Sequence, residues 1–329
     1  MNRRTFLCGL TLGTLAAPLA LEAQQPGKIF RIGFLDPSTA AGNAVLVDAF
    51  RQELSKLGWI EGKNIAFEYR FSEQKPGRLP ELAAELVRLK VDLIVTTGDG
   101  PTFEAKKATT TIPIVMTTGS DPVAQGLVDS LARPGGNVTG LSSLAKELNT
   151  KRLEILKDAV PKLSRVGLLR TPGASITADL QLKELRPAAR ALKLELEEIE
   201  TQLDPKGLES AFQTAKQKQV GAIATTAIRA FFAERKRIVE FADKYRVPAI
   251  YFQQEFVDEG GLMSYGVDYV DLFRRAAVYV DKILKGATPA DLPVQQATKF
   301  QFIINLKTAK SIGLTIPQSL LLQATGVIE

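Results

Sequence analysis

The feature that most restricts this chain is a strand-and-loop stretch that occurs twice. The first copy is Val91 to Pro122, VDLIVTTGDGPTFEAKKATTTIPIVMTTGSDP. Val91, Leu93, Ile94 and Val95 make a short apolar run of the kind buried on both faces of a parallel sheet. The run stops at Thr96-Thr97-Gly98-Asp99-Gly100-Pro101, which cannot comfortably remain in a strand. A helix is predicted through Glu104 to Lys107. Ile112 to Met116 then reads as a second buried strand, with Pro113 among its first residues. A polar loop, Thr117 to Pro122, follows, and Asp121-Pro122 has the form of a helix start, Asp as N-cap and Pro at N1.

The second copy lies downstream. Val220 to Thr226 matches Val91 to Thr97, Val247 to Tyr251 matches Ile112 to Met116, and Ile32 to Asp36 pairs with Val166 to Arg170. The offsets are all about 130 to 135 residues, too long for a solenoid repeat. Three matches in the same order predict one α/β domain built twice. The fold class expected is therefore two similar doubly wound parallel-sheet lobes, with polar loops at the carboxyl ends of the strands, where open parallel sheets bind ligands.

At 329 residues the chain is long enough for two lobes with separate cores. Its 45% hydrophobic and 24% charged residues are those of an ordinary globular protein. The net charge of +6 is spread along helices, as in Glu234-Arg235-Lys236-Arg237, and forms no basic stripe with interleaved aromatics, so no nucleic-acid partner is expected. The chain contains no histidine, and its one cysteine, Cys8, falls in the N-terminal segment. Ser-His-Asp and Cys-His catalysis are thereby excluded, as are disulfides and His- or Cys-based metal sites in the mature chain. No G-x-G-x-x-G follows the first strand, and no P-loop or G-x-S-x-G motif occurs. No cofactor is expected and no enzyme activity.

Residues 1–23 read as an export signal. Arg3-Arg4 opens it, an apolar stretch runs from Leu7 to Leu21, and Leu21-Glu22-Ala23 is an acceptable cleavage site. Periplasmic localisation follows, with a membrane-anchored N-terminus as the alternative reading.

Candidate ligand contacts are polar residues at predicted strand ends. In the first lobe they are Asp36, Ser38, Thr97, Gly98, Asp99, Thr118, Gly119, Ser120 and Asp121. In the second they are Arg170, Thr171, Thr226, Tyr251 and Tyr265, with Asp268 at the start of a helix predicted over 269–284. Hydroxyls, backbone N–H groups and helix N-termini together suit an anion such as a carboxylate, so the ligand expected is a small carboxylate-bearing solute, an amino acid or an aromatic acid. Arg170 would add a bidentate clamp, and the tyrosines would line a cleft for an aromatic group. Each Asp has helix capping as its plainer role. Further helices are predicted over 44–57, 79–89, 122–131, 148–160, 176–192, 208–218 and 231–245.

One resemblance spans nearly the whole mature chain. It is carried by Gly33-Phe34-Leu35, Phe50-Arg51-Gln52-Glu53-Leu54, Gly62-Lys63-Asn64, Thr110 to Val115, Ser120-Asp121-Pro122-Val123, Leu131 to Gly140, Pro248 to Tyr251, Glu255-Phe256-Val257, Gly260 to Gly266 and Asn305 to Lys310. With them the chain resembles periplasmic-binding-protein-like ABC transporter substrate-binding proteins, more closely the subfamily that includes tryptophan-binding proteins. The resemblance implies a type I periplasmic binding protein; crossings read along the chain near 138–141, at Gly260–Gly266 and near 295–300 give lobe 1 as 28–141 plus 267–297 and lobe 2 as 142–266 plus 298–329. It implies a small-molecule ligand held between the lobes, an ABC permease as membrane partner, and a monomer. A sensor for a membrane receptor and an exported hydrolase using Asp and Glu are the competing readings. The loop Arg170 to Ser175 departs from the subfamily's Asn-rich pattern, so the ligand does not transfer from relatives.

Overall fold

The computed structural model describes residues 28–171 and 176–329. The expected export signal, residues 1–23, lies outside the described residues. The first half runs β1 (Phe30–Asp36), α1 (Ala40–Lys56), β2 (Ile65–Phe71), α2 (Leu79–Arg88), β3 (Leu93–Thr96), α3 (Asp99–Ala108), β4 (Ile114–Gly119) and β5 (Val138–Ser142). The second runs α4 (Ala145–Ala159), β6 (Arg165–Arg170), α5 (Ile176–Ala191), β7 (Glu195–Glu200), α6 (Pro205–Gln217), β8 (Ala222–Thr225), α7 (Arg229–Ala233), α8 (Arg235–Lys244), β9 (Ala249–Tyr251), α9 (Glu255–Asp258) and β10 (Met263–Val267). The chain closes through α10 (Tyr269–Leu284), β11 (Gln295–Gln296), β12 (Phe300–Asn305), α11 (Leu306–Ser311), α12 (Gln318–Leu321) and β13 (Gly326–Ile328).

These strands form two sheets, ordered β11-β5-β4-β3-β1-β2 and β13-β12-β10-β9-β8-β6-β7. The duplication is visible in the order itself. The run β5-β4-β3-β1-β2 of one sheet is repeated as β10-β9-β8-β6-β7 in the other, so β3 and β8, the two Thr-ended strands, hold equivalent places. Both sheets are parallel apart from the antiparallel pair β10–β12. Parallel pairing requires crossover helices on both faces, which is why β3, β4 and β8 are buried along their whole length.

Among the described residues the chain passes between the sheets three times: from β5 into α4, from β10 into α10, and from β11 into β12. Leu144, in the first passage, holds a left-handed backbone (φ 53°). After the second passage α10 returns to pack on α1 of the first lobe, where Trp59 Nε1 donates to Asp281 Oδ1 at 2.9 Å.

Three sequence expectations are corrected. The helix expected over 122–131 is a series of turns: Gly126 adopts φ 65°, and the N–H groups of Leu127 and Val128 bond back to the Pro122 carbonyl. The helix expected over 231–245 is two helices that meet at Glu234. Strand β4 continues through Thr117, Thr118 and Gly119, which were expected to be loop. A register shift against β5 allows this extension. Gly140 faces it at φ 130°, where a Cβ would come within 2.1 Å of the Met116 carbonyl oxygen.

Candidate ligand-binding site

Strands β4, β3 and β1 are neighbours, so their carboxyl ends set three loops of the first lobe side by side. At the end of β1, Asp36 is fully buried. Its carboxylate accepts from the Ser38 N–H at 2.7 Å, the Ser38 hydroxyl at 2.5 Å and Asn43 Nδ2 at 2.6 Å. Asp36 and Ser38 thus brace the turn into α1, whose N-cap is Thr39. At the end of β3, Gly98 turns the chain at φ 84° and Asp99 opens α3. Asp99 accepts from the backbone N–H of Ser120 at 2.9 Å and from its hydroxyl. Thr97, between them, is buried with its hydroxyl making no hydrogen bond to the protein.

At the end of β4, Thr118 is buried, and the Gly119 carbonyl accepts from the N–H and hydroxyl of Ser143, in the first passage between the lobes. Asp121 accepts from the Ala124 N–H at 3.0 Å, a capping contact in a turn rather than at a helix. The structure therefore brings Asp99, Gly119 and Ser120 together, with the Asp36–Ser38 turn on the next strand but one.

The second-lobe candidates are dispersed. Arg170 donates to Glu198 on β7 at 2.5 Å, and Arg186 of α5 binds the same carboxylate at 2.6 Å. Burial alone would raise the Glu198 carboxyl, but the hydrogen bonds and positive charge of Arg186 and Arg170 hold it below its ordinary value. The clamp expected of Arg170 is thus engaged at the sheet edge. Thr171 is half-buried and leads into residues 172–175, which lie outside the described residues. Thr226 is buried in the turn after β8, its carbonyl accepting from Ile228.

Tyr251, expected to line a cleft, is fully buried and stacks on Phe256 with ring centroids 4.6 Å apart. It borders a small cavity with Val247, Ala249 and Leu262, near the amino-terminal ends of β9 and β10. Burial pushes its phenol well above the usual range. Tyr265 on β10 is half-buried and meets Phe302 edge to face. Asp268 caps α10 through the Asp271 N–H at 2.9 Å.

Sequence reasoning missed a buried polar chain beneath these strand ends. Arg152 and Asn149 of α4 and Gln181 of α5 are each no more than 3% exposed. Arg152 donates through Nη1 to the Tyr265 carbonyl at 2.7 Å and through Nη2 to Asn149 Oδ1. Asn149 Nδ2 donates to Gln181 Oε1 at 2.9 Å, which also accepts from the Ala227 N–H at 3.3 Å. Gln253, after β9, is also buried, with neither end of its amide bonded to the protein. The signal was present: Asn149 and Arg152 fall on the same helical stripe as Leu148, Leu153 and Leu156, where a polar pair needs a reason. Among the described residues no cluster of three or more acidic, His or Cys side chains is arranged to hold a metal, and no helix is long and apolar enough to cross a membrane.

A family model described as ABC transporter substrate binding protein matches residues 40–328. The tyrosine-binding protein of Clostridioides difficile strain R20291 is 27% identical over 270 residues, 80% of this chain and 75% of that one. The crystal structure of a conserved domain protein from Vibrio cholerae superposes with a TM-score of 0.83 at 28% identity, covering 91% of this chain and all of that one, or 100%. An ABC domain from Streptococcus pneumonia, crystallised in complex with L-Trp, superposes with a TM-score of 0.81 at 25% identity, covering 92% of this chain and 100% of that one.

Proposed function

Because the chain belongs to the family of ABC transporter substrate-binding proteins, we propose that it captures an amino acid with an aromatic side chain between its lobes and hands it to a membrane permease. Members of this family work outside the cytoplasm, and delivery to a permease is their general role. The ligand is our reading of this chain. It is supported by a tyrosine-binding relative and by a structural neighbour holding L-Trp.

The observation that carries it is the set of polar loops at the carboxyl ends of equivalent strands in the two sheets. Thr97, Thr225 and Gln253 are buried there with side-chain polar atoms that make no hydrogen bond to the protein. Such groups are costly unless something completes them. A small zwitterion offers both donors and acceptors. The lobes we assign are 28–141 plus 267–297 and 142–266 plus 298–329, acting as a monomer exported through residues 1–23. Binding rather than catalysis is proposed, since what the two sheets share is polar loops at the carboxyl ends of equivalent strands.

A thermal-shift screen of the mature chain over amino acids, aromatic acids and sugars tests this. A ligand at a hundredfold excess over its Kd stabilises by about 2.7 kcal/mol. Aromatic amino acids should raise the midpoint most; shifts from sugars alone would refute the proposed ligand class.

A further inference from the structure

The buried chain Tyr265–Arg152–Asn149–Gln181–Ala227 is unbalanced in one direction. Its side-chain acceptors are occupied: Asn149 Oδ1 takes Arg152, and Gln181 Oε1 takes both Asn149 and Ala227. What remains is donors. Gln181 Nε2 is buried and bonds to nothing in the protein. The Arg152 guanidinium has five N–H groups, and two of its nitrogens account for its described bonds, both to neutral oxygens. None of the described ion pairs includes Arg152, although its side chain is 2% exposed. Burial lowers its pKa to about 10, with Tyr265 and Tyr269 opposing, so it stays a cation at neutral pH. A buried cation without a carboxylate is a poor structural choice, and its unused N–H groups, with the unbonded Gln181 Nε2 one Asn149 further along the same chain of bonds, ask for an anionic acceptor.

Position agrees with chemistry. Helix α4 begins three residues after β5 ends, directly beyond the first passage between the lobes. Tyr265 lies on β10, two residues before that strand ends and the second passage begins, and Ala227 lies in the turn after β8. The chain of bonds thus runs under the carboxyl ends of the second sheet, where the lobes join. Gln253 follows β9, the strand between β8 and β10.

We propose that Arg152, with Gln181, is the anchor for the ligand's carboxylate, fork to fork on the guanidinium. The proposal rests on the reading that the ligand is an amino acid. A purely structural Arg152 would lower stability when replaced and leave ligand preference untouched.

The test is calorimetry on the mature chain with three kinds of probe: L-tryptophan and L-tyrosine; tryptamine and tyramine, which lack the carboxylate; indole-3-acetate and 4-hydroxyphenylacetate, which lack the ammonium group. Wild type should prefer acids to amines by about tenfold to a hundredfold. Arg152→Met should bring that ratio close to one. Gln181→Glu places a carboxylate on the same buried chain, one Asn149 away from Arg152. It should lose acid binding by at least about tenfold while melting no lower than wild type, and it carries the test if Arg152→Met does not fold. Wild-type preference in a folded Arg152→Met or in Gln181→Glu overturns the anchor and leaves the amino-acid reading standing. Acids lacking the ammonium group binding as tightly as the amino acids overturns that reading and leaves the anchor standing. Failure of every carboxylate probe to bind wild type overturns both.

Discussion

Asp99 and Ser120 lock two neighbouring loops of the first lobe together: the Asp99 carboxylate accepts from the Ser120 N–H at 2.9 Å and from the Ser120 hydroxyl. Asp99 is 5% exposed and Ser120 is half-buried, so both bonds are partly withdrawn from water. Removing the carboxylate takes their acceptor from two partly buried donors of Ser120. Asp99→Ala should therefore cost about 1–3 kcal/mol, read as a shift in urea midpoint. A change below about 0.5 kcal/mol, typical of surface positions, would show that the loops do not depend on this contact.

Tyr251→Phe should behave in the opposite way. The Tyr251 hydroxyl is buried and bonds to nothing in the protein, while its ring stacks on Phe256. Deleting an unsatisfied buried hydroxyl removes a desolvation cost and keeps the packing. Thermal denaturation should show unchanged or higher stability, by up to about 1 kcal/mol, and ligand affinity equal to wild type. A tenfold loss of affinity would return Tyr251 to the cleft.

The pair of arginines on Glu198 gives a pH dependence with a definite sign. Their bonds hold its folded-state pKa below the ordinary 4.5. The stabilisation is therefore present above the unfolded value and is lost as pH falls through the lowered folded value. Arg186 is more than half exposed, so the pairing is worth no more than about 1 kcal/mol. Chemical denaturation of wild type and Glu198→Gln should differ at neutral pH and converge in acid, once the pH has fallen below the lowered folded-state value. A gap that persists in acid would assign the effect of the substitution to packing.

Closure is a further expectation. Two lobes joined by three passages should shift toward a compact state when ligand bridges them. Small-angle scattering should give a smaller radius of gyration with L-tryptophan or L-tyrosine at saturation. An identical profile would mean that binding does not draw the lobes together.

How far the sequence was legible depends on the range of the cause. The duplicated strands were readable because burial on both faces writes a continuous apolar run, and Thr96-Thr97 and Thr225-Thr226 mark their ends. The Asp-Pro at 121–122 was misread as a helix start because the cap is local, and Asp121 does cap Ala124, but whether a helix continues is decided downstream, at Gly126. Tyr251 was misplaced for a similar reason: the strand's position was evident, but which neighbour its ring would stack on was not, since Phe256 arrives after a turn. The Arg152–Asn149–Gln181 chain joins two helices 32 residues apart at Asn149 and Gln181, and only the folded lobe puts them in contact.

The most direct measurement of the central claim is titration calorimetry of L-tryptophan and L-tyrosine into the purified mature chain. Saturable one-to-one binding of at least one of them, with no heat from sugars, is the predicted result. No saturable heat from either amino acid, together with binding of a sugar, would contradict the account.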